Sequence, residues 1–146
     1  MMMLARKLHT CSHLSGDDLR LVGTCFAAAW LVRVGLWILP VRVMLRTANR
    51  APWRGLRDKV PAPRIAWAIR LACRYVPRAT CLVRALAGQA VMAWHGHACV
   101  VTVGVALRKG RFGAHAWLES EGQVLLGDSQ EREQYAPIVA LGGRRA

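Results

Sequence analysis

The stretch GAHAWLESEGQVLLGD, Gly113–Asp128, decides how the second half of the chain is read. Glu121-Gly122 is a tight-turn signal between two strand-forming runs, so Gly113–Ser120 and Gln123–Leu126 pair as an antiparallel hairpin. Counting outward from a two-residue turn sets Ser120 opposite Gln123, Glu119 opposite Val124 and Leu118 opposite Leu125. Trp117 then meets Leu126, Ala116 meets Gly127, and His115 meets Asp128. The last is a non-hydrogen-bonded pair with Cβ atoms roughly 4.5 to 5.5 Å apart, within reach for a carboxylate to take the proton of one imidazole nitrogen. Glu119 is the rival acid, two residues along the strand, but its side chain projects parallel to that of His115 and roughly 7 Å away. A three-residue loop with a glycine bulge would shift this register by one. Trp117 is read as core packing, facing away from the cleft.

Upstream, Ala98–Leu107 (ACVVTVGVAL) is a valine-rich strand and Arg108–Gly113 (RKGRFG) a turn, which makes a three-stranded meander. Before it, Thr80 caps a helix that begins at Cys81, with Leu82, Ala85, Leu86, Gln89 and Ala93 as its inner stripe and Gly96 at its end. Cys81 thus sits in the first turn of a helix, where unpaired backbone N–H groups and the helix dipole stabilise a thiolate. Cys25 and Cys73 lie within apolar helical stretches, Cys99 at a strand start and Cys11 in a polar tail. Five cysteines without a CxxC pair, behind an N-terminus with no secretory signal, point to a reducing cytoplasm. Neither His9, Cys11 and His13 nor His95, His97 and Cys99 has the paired spacing of a zinc site, so no metal or cofactor is expected.

The chain has 146 residues, 54% of them hydrophobic, which excludes disorder and leaves room for one real core. Its charge is lopsided. Residues 1–78 carry 14 basic and 3 acidic side chains, a net +11, and residues 79–146 carry 7 and 5, a net +2. No nucleic-acid motif accompanies the charge, so an acidic protein partner or an anionic membrane surface is the expected counterpart. Ser15 or Asp17 caps a helix whose run Leu21–Leu39 is apolar but for Arg33, with Gly23, Thr24 and Gly35 diluting it. An arginine near the centre of a span costs about 2.5 kcal/mol or more on insertion scales, so the expectation is a buried or partner-facing helix, with interfacial membrane contact the alternative. Pro40 interrupts, and Arg42, Arg46 and Arg50 follow as one stripe if the helix resumes. Residues 51–63, with Pro52, Gly55, Pro61 and Pro63, are the expected linker. After it, Ile65, Ile69, Ala72 and Val76 mark an amphipathic helix with Arg70, Arg74 and Arg78 on another face. The reading is α+β: a basic helical region over 1–60 facing a partner or membrane, then a core over 61–146 in which a cysteine-bearing helix packs on an antiparallel sheet.

The runs TCLVRALAGQAVM (Thr80–Met92), VTVGVALRKGRFGAHAWLE (Val101–Glu119) and GQVLLGD (Gly122–Asp128), with YAPI from Tyr135, together resemble the lasso peptide leader peptidases, the transglutaminase-like B proteins in their split form. The resemblance spans roughly residues 64–140. It implies a transglutaminase/papain-like core and a Cys-His-Asp triad of Cys81 as nucleophile, His115 as base and Asp128 as orienting acid. It implies removal of the leader from a ribosomally made precursor peptide, with a separate leader-binding protein and a lasso cyclase as partners. Other uses of the same residues are acyl transfer to an amine and a non-catalytic scaffold.

Overall fold

A computed structural model describes residues 14–50, 60–127, 130 and 133–142. Four helices come first: α1 (Gly16–Ile38), α2 (Val41–Arg50), α3 (Ala62–Cys73) and α4 (Cys81–Trp94). Four strands follow: β1 (Val100–Arg108), β2 (Arg111–Ser120), β3 (Gln123–Leu126) and β4 (Ala136–Gly142). They form one antiparallel sheet in the order β3-β2-β1-β4, so the α+β reading holds.

Ser15 is the N-cap of α1, and with Asp18 it forms a capping box that satisfies donors the first turn would otherwise leave open. Asp18 also pairs with Arg64 of α3, which ties the two helices at their exposed edge. The hydrogen bonds from Arg64 and Ser15 hold the Asp18 carboxyl below its ordinary value of 3.8. This tie is therefore present above that value and is lost as pH falls below it. The linker is shorter at its C-terminal end than expected, because Pro61 caps α3 and Ala62 and Pro63 lie inside it. A proline in the first turn gives up an N–H that has no acceptor there anyway.

The helices enclose one core. Leu21, Cys25, Ala29 and Val32 of α1 join Ile65, Ala68, Ile69 and Ala72 of α3 and Val83, Leu86, Val91 and Met92 of α4 in a single buried cluster, closed on the sheet side by Val101, Ala116, Leu118 and Leu126. Helix α4 is buried nearly all round rather than along one stripe: Val83, Ala87, Gly88 and Val91 are buried along with the expected Ala85, Leu86, Gln89 and Ala93. At Gly88 it touches the sheet. A Cβ there would stand 2.5 Å from Leu126 Cδ1 and 2.9 Å from Leu118 Cδ2. Gly88→Ala is accordingly expected to destabilise the fold by about 1–3 kcal/mol through overpacking, read as a lowered midpoint in thermal denaturation.

Only 22% of the apolar window of α1 is buried, and Phe26, Trp30, Leu31, Trp37 and Ile38 are exposed. By length and composition this one helix among the described residues could cross a membrane. The arginine within its apolar run, however, is engaged with the protein: Arg33 lies 4.9 Å from the Trp37 ring centroid and its Nε donates to the Pro77 carbonyl at 3.3 Å.

The sheet departs from the sequence reading in three places. The β1–β2 turn is only Lys109-Gly110, so Arg111 and Phe112 belong to β2, with Arg108 opposite Arg111. The Glu121-Gly122 turn has the expected two residues, at φ of 51° and 81°, and Ser120:Gln123 and Glu119:Val124 pair as counted. Beyond them the ladder slips, and Leu118 pairs with Leu126. Leu125 is the extra residue of a bulge, and its carbonyl accepts from the Arg70 guanidinium of α3. The counted partners of Leu118 and Trp117, Leu125 and Leu126, therefore do not stand, and the counted partner of His115, Asp128, lies outside the described residues. Finally, β4 was not anticipated. It adds to the free side of β1, with Pro137 opposite Gly104 at a second irregularity, and an edge strand tolerates a proline that cannot donate to a ladder.

Candidate active site

Thr80 caps α4 through its side chain, which accepts from the Val83 N–H at 3.4 Å, and Cys81 is the first helical residue, as expected. By helix geometry the N–H groups of Cys81 and Leu82, ahead of the capped Val83, have no intrahelical acceptor, so they remain available to a ligand there. Cys81 is half-buried, whereas Cys25, Cys73 and Cys99 are buried. Burial pushes the Cys25 and Cys99 thiols up to about 12, and neighbouring Cys73 adds to the rise at Cys25. Burial likewise raises Cys73, with Arg84 offsetting part of the effect. These three are therefore core residues. Iodoacetamide near neutral pH is expected to label Cys81 and leave Cys25, Cys73 and Cys99 unmodified until the protein is denatured, as peptide mapping by mass spectrometry would read. Labelling of Cys25 or Cys99 at the rate of Cys81 would contradict this. Cys11 lies outside the described residues.

Cys81 and His115 line the same cavity, of about 230 Å³, between the start of α4 and the sheet. Its walls are apolar: Leu82 of α4, Val103 of β1, Ala114 and Ala116 of β2, Val41 and Leu45 of α2, and Ile138 and Val139 of β4. Helix α2 comes from the basic N-terminal region, so that region supplies walls to this cavity. Nothing in the sequence had marked Val41, Leu45, Ile138 or Val139 as part of a site.

On β2, Ala116 and Leu118 face the helices, and alternation puts His115 and Trp117 on the other face together, so His115 borders the Cys81 cavity between its helix-facing neighbours Ala114 and Ala116 while its side chain projects from the sheet face away from α4. This corrects the expected orientation of Trp117. It is buried, but residues two apart on a strand share a face, and its ring stacks on His115 at a centroid separation of 6.1 Å and 26°. Tyr135 packs on the same imidazole, at 5.4 Å and 33°. Glu119 is engaged with the tryptophan: its carboxylate accepts from Trp117 Nε1 at 3.2 Å. Asp128 lies outside the described residues. Its neighbour Gly127 has a φ of 107°, and a Cβ there would meet Trp117 Cβ at 2.7 Å and His115 Nε2 at 3.6 Å. The backbone leading into Asp128 thus abuts the imidazole.

His97 Nε2–H donates to the Val60 carbonyl at 2.6 Å. Among the described residues no group of three His, Cys, Asp or Glu side chains is placed to hold a metal ion; His9, Cys11 and His13 lie outside them.

A helix-start cysteine sharing a cavity with a strand histidine, on four helices and an antiparallel sheet, accords with the comparison of the sequence with protein families. The model of the transglutaminase-like superfamily matches residues 22–140. The chain belongs to the transglutaminase-like superfamily. The match begins within α1 and ends within β4, so the N-terminal helix and the unexpected fourth strand both fall inside the transglutaminase-like region. Enzymes of this superfamily generally work through a cysteine. No curated protein and no solved structure matches the chain.

Proposed function

We propose that this transglutaminase-like protein is a cysteine peptidase that removes the leader from a ribosomally made lasso precursor peptide, with Cys81, His115 and Asp128 as its triad. The observation that carries the reading is the cavity shared by Cys81 and His115. The resemblance of the Thr80–Met92, Val101–Glu119 and Gly122–Asp128 runs to lasso leader peptidases supplies the substrate class.

The Cys81 thiolate attacks the carbonyl carbon at the leader–core junction. The C–S bond forms as the carbonyl electron pair moves to oxygen, and first-turn N–H groups of α4, that of Cys81 among them, stabilise the oxyanion. His115, as imidazolium, protonates the departing amine of the core, and the C–N bond breaks to leave a leader thioester. Water then attacks this thioester while His115 takes its proton, which releases the leader carboxylate and returns the thiol. Asp128 fixes the imidazole tautomer and stabilises its charged form. The half-buried, apolar cavity limits competing water around the thiolate.

A separate leader-binding protein and a lasso cyclase complete the proposed system, and the protein acts in the cytoplasm. The exposed Trp30, Leu31, Trp37 and Ile38 of α1, with the exposed Arg42 and Arg46 of α2, form the surface proposed to meet a partner or an anionic membrane.

Incubating the protein with precursor and leader-binding protein, followed by mass spectrometry, tests the reading. A released leader ending in a free carboxylate supports hydrolysis. A leader joined to an amine identifies an acyltransferase instead, and cleavage retained in Cys81→Ala would leave only a scaffold.

A further inference from the structure

Helix α1 is apolar on two sides. Leu21, Cys25, Ala29 and Val32 face the core, and the outer strip runs through Phe26, Trp30, Leu31, Val34, Trp37 and Ile38, all exposed. A helix that is hydrophobic all round needs a cover on its outer side as well. Leu31, Trp37 and Ile38 are the barest, at 74%, 74% and 75% exposure, so the need is greatest toward the C-terminal end.

That end carries the arginines. A Cβ on Gly35 would stand 2.9 Å from Met44 Sδ, so α2 packs back against the last turns of α1. It brings its exposed Arg42 and Arg46, one helical turn apart, to the same end. On the strip itself Arg33 and Arg78 line a cavity of about 240 Å³ whose other walls are Trp30, Val34, Trp37 and Pro77. Residues 19–78 hold twelve basic side chains and one acidic, Asp58.

We infer that the outer strip of α1 and the arginines of α2 form a membrane-docking face, on which α1 lies in the plane of an anionic lipid surface with its indoles at headgroup depth. This chooses one of the two occupants proposed for the surface, and it rests on none of the chemistry at Cys81. A spanning orientation is not available: the inner side of α1 belongs to the core, and Asp18 pairs with Arg64 of α3, so the helix stays on the protein. Lipid fits the strip better than protein does. Protein interfaces carry about one hydrogen bond per 100–200 Å², yet the six strip side chains offer only two indole N–H groups. Lipid tails ask for none, and tryptophan with flanking arginine suits the boundary between tails and headgroups. A second copy would set the net +11 of residues 1–78 against its own like, which opposes self-association through this face. Helix α2 also supplies Val41 and Leu45 to the Cys81 cavity, so docking holds that cavity beside the lipid surface.

Flotation of the full-length protein with phosphatidylcholine vesicles, and with vesicles in which about a third of the lipid is phosphatidylglycerol, tests the face. Partitioning is expected to be about 10-fold or more stronger on the anionic vesicles and to weaken at high salt. Arg42→Gln combined with Arg46→Gln is expected to lower it by about 25-fold, near 5-fold per arginine. Leu31→Glu combined with Trp37→Glu is expected to abolish it, with the thermal midpoint kept because both side chains are exposed. Brominated acyl chains are expected to quench tryptophan emission, and to do so far less in Trp30→Phe combined with Trp37→Phe. Equal partitioning on both vesicle types, or anionic binding without quenching, would overturn the proposal. So would a dimer dissolved by Leu31→Glu, displacement of the vesicles by purified leader-binding protein or cyclase, or shielding of Trp30 and Trp37 from acrylamide in the free monomer. These three assign the face to a second copy, a protein or another segment of this chain. Failure of the peptidase reading looks different: no precursor is cut, yet wild type and Cys81→Ala float alike on anionic vesicles.

Discussion

Cys81→Ser is expected to lower turnover of the precursor by roughly 10⁴-fold or more while leaving the fold intact, because the nucleophile carries the whole covalent route and its partners cannot work without it. Serine at the first position of α4 keeps the side-chain volume and suits a helix start, and Cys81 is only half-buried at the edge of the core. Circular dichroism should therefore show a spectrum and midpoint close to those of the wild type. A substitution that removed activity by unfolding would show in that control, and cleavage by the folded variant at more than a few per cent of the wild-type rate would remove Cys81 from the chemistry.

The second large effect is expected at Asp128. Asp128→Asn keeps the shape of the side chain and removes the charge that stabilises the imidazolium, so kcat is expected to fall by roughly 10³- to 10⁴-fold with little change in precursor binding. Glu119→Gln is the contrasting variant. The Glu119 carboxylate accepts from Trp117 Nε1, and a glutamine oxygen can do the same, so its effect is expected within a few-fold. The pair separates the two acids by kinetics. A large loss in Glu119→Gln with normal turnover in Asp128→Asn would transfer the orienting role to Glu119.

The legible and illegible parts of this fold divide by how far apart in the chain the deciding residues lie. Thr80 and Cys81 announced a helix start through local capping chemistry, and Glu121-Gly122 announced a two-residue turn through its backbone preferences, and both stand as read. The register beyond that turn was not legible, because its bulge at Leu125 is met by an arginine of α3. On the helical pattern alone, Arg70 belonged to a basic face with Arg74 and Arg78. Strand β4 carried no hairpin signal because its partner β1 lies three strands earlier, and Pro137 argued against a strand that only an edge can accommodate. The stacking of His115 on Trp117 was within reach of the sequence, since a spacing of two on a strand means one face. The cavity walls from α2 and β4 were beyond reach, being hydrophobic residues that only the tertiary arrangement brings to the thiol.

The position of β4 has a temporal consequence. Residues 81–126 can assemble from neighbouring pieces, a helix followed by two hairpin pairings that close short loops. Ile138 and Val139 reach the thiol only when β4 has zipped onto β1 across the intervening β2 and β3. On a ribosome, Cys81 emerges well before the strand that walls it in. A nascent chain thus exposes an unshielded sulfur during synthesis, and the finished pocket is the last thing the sheet provides.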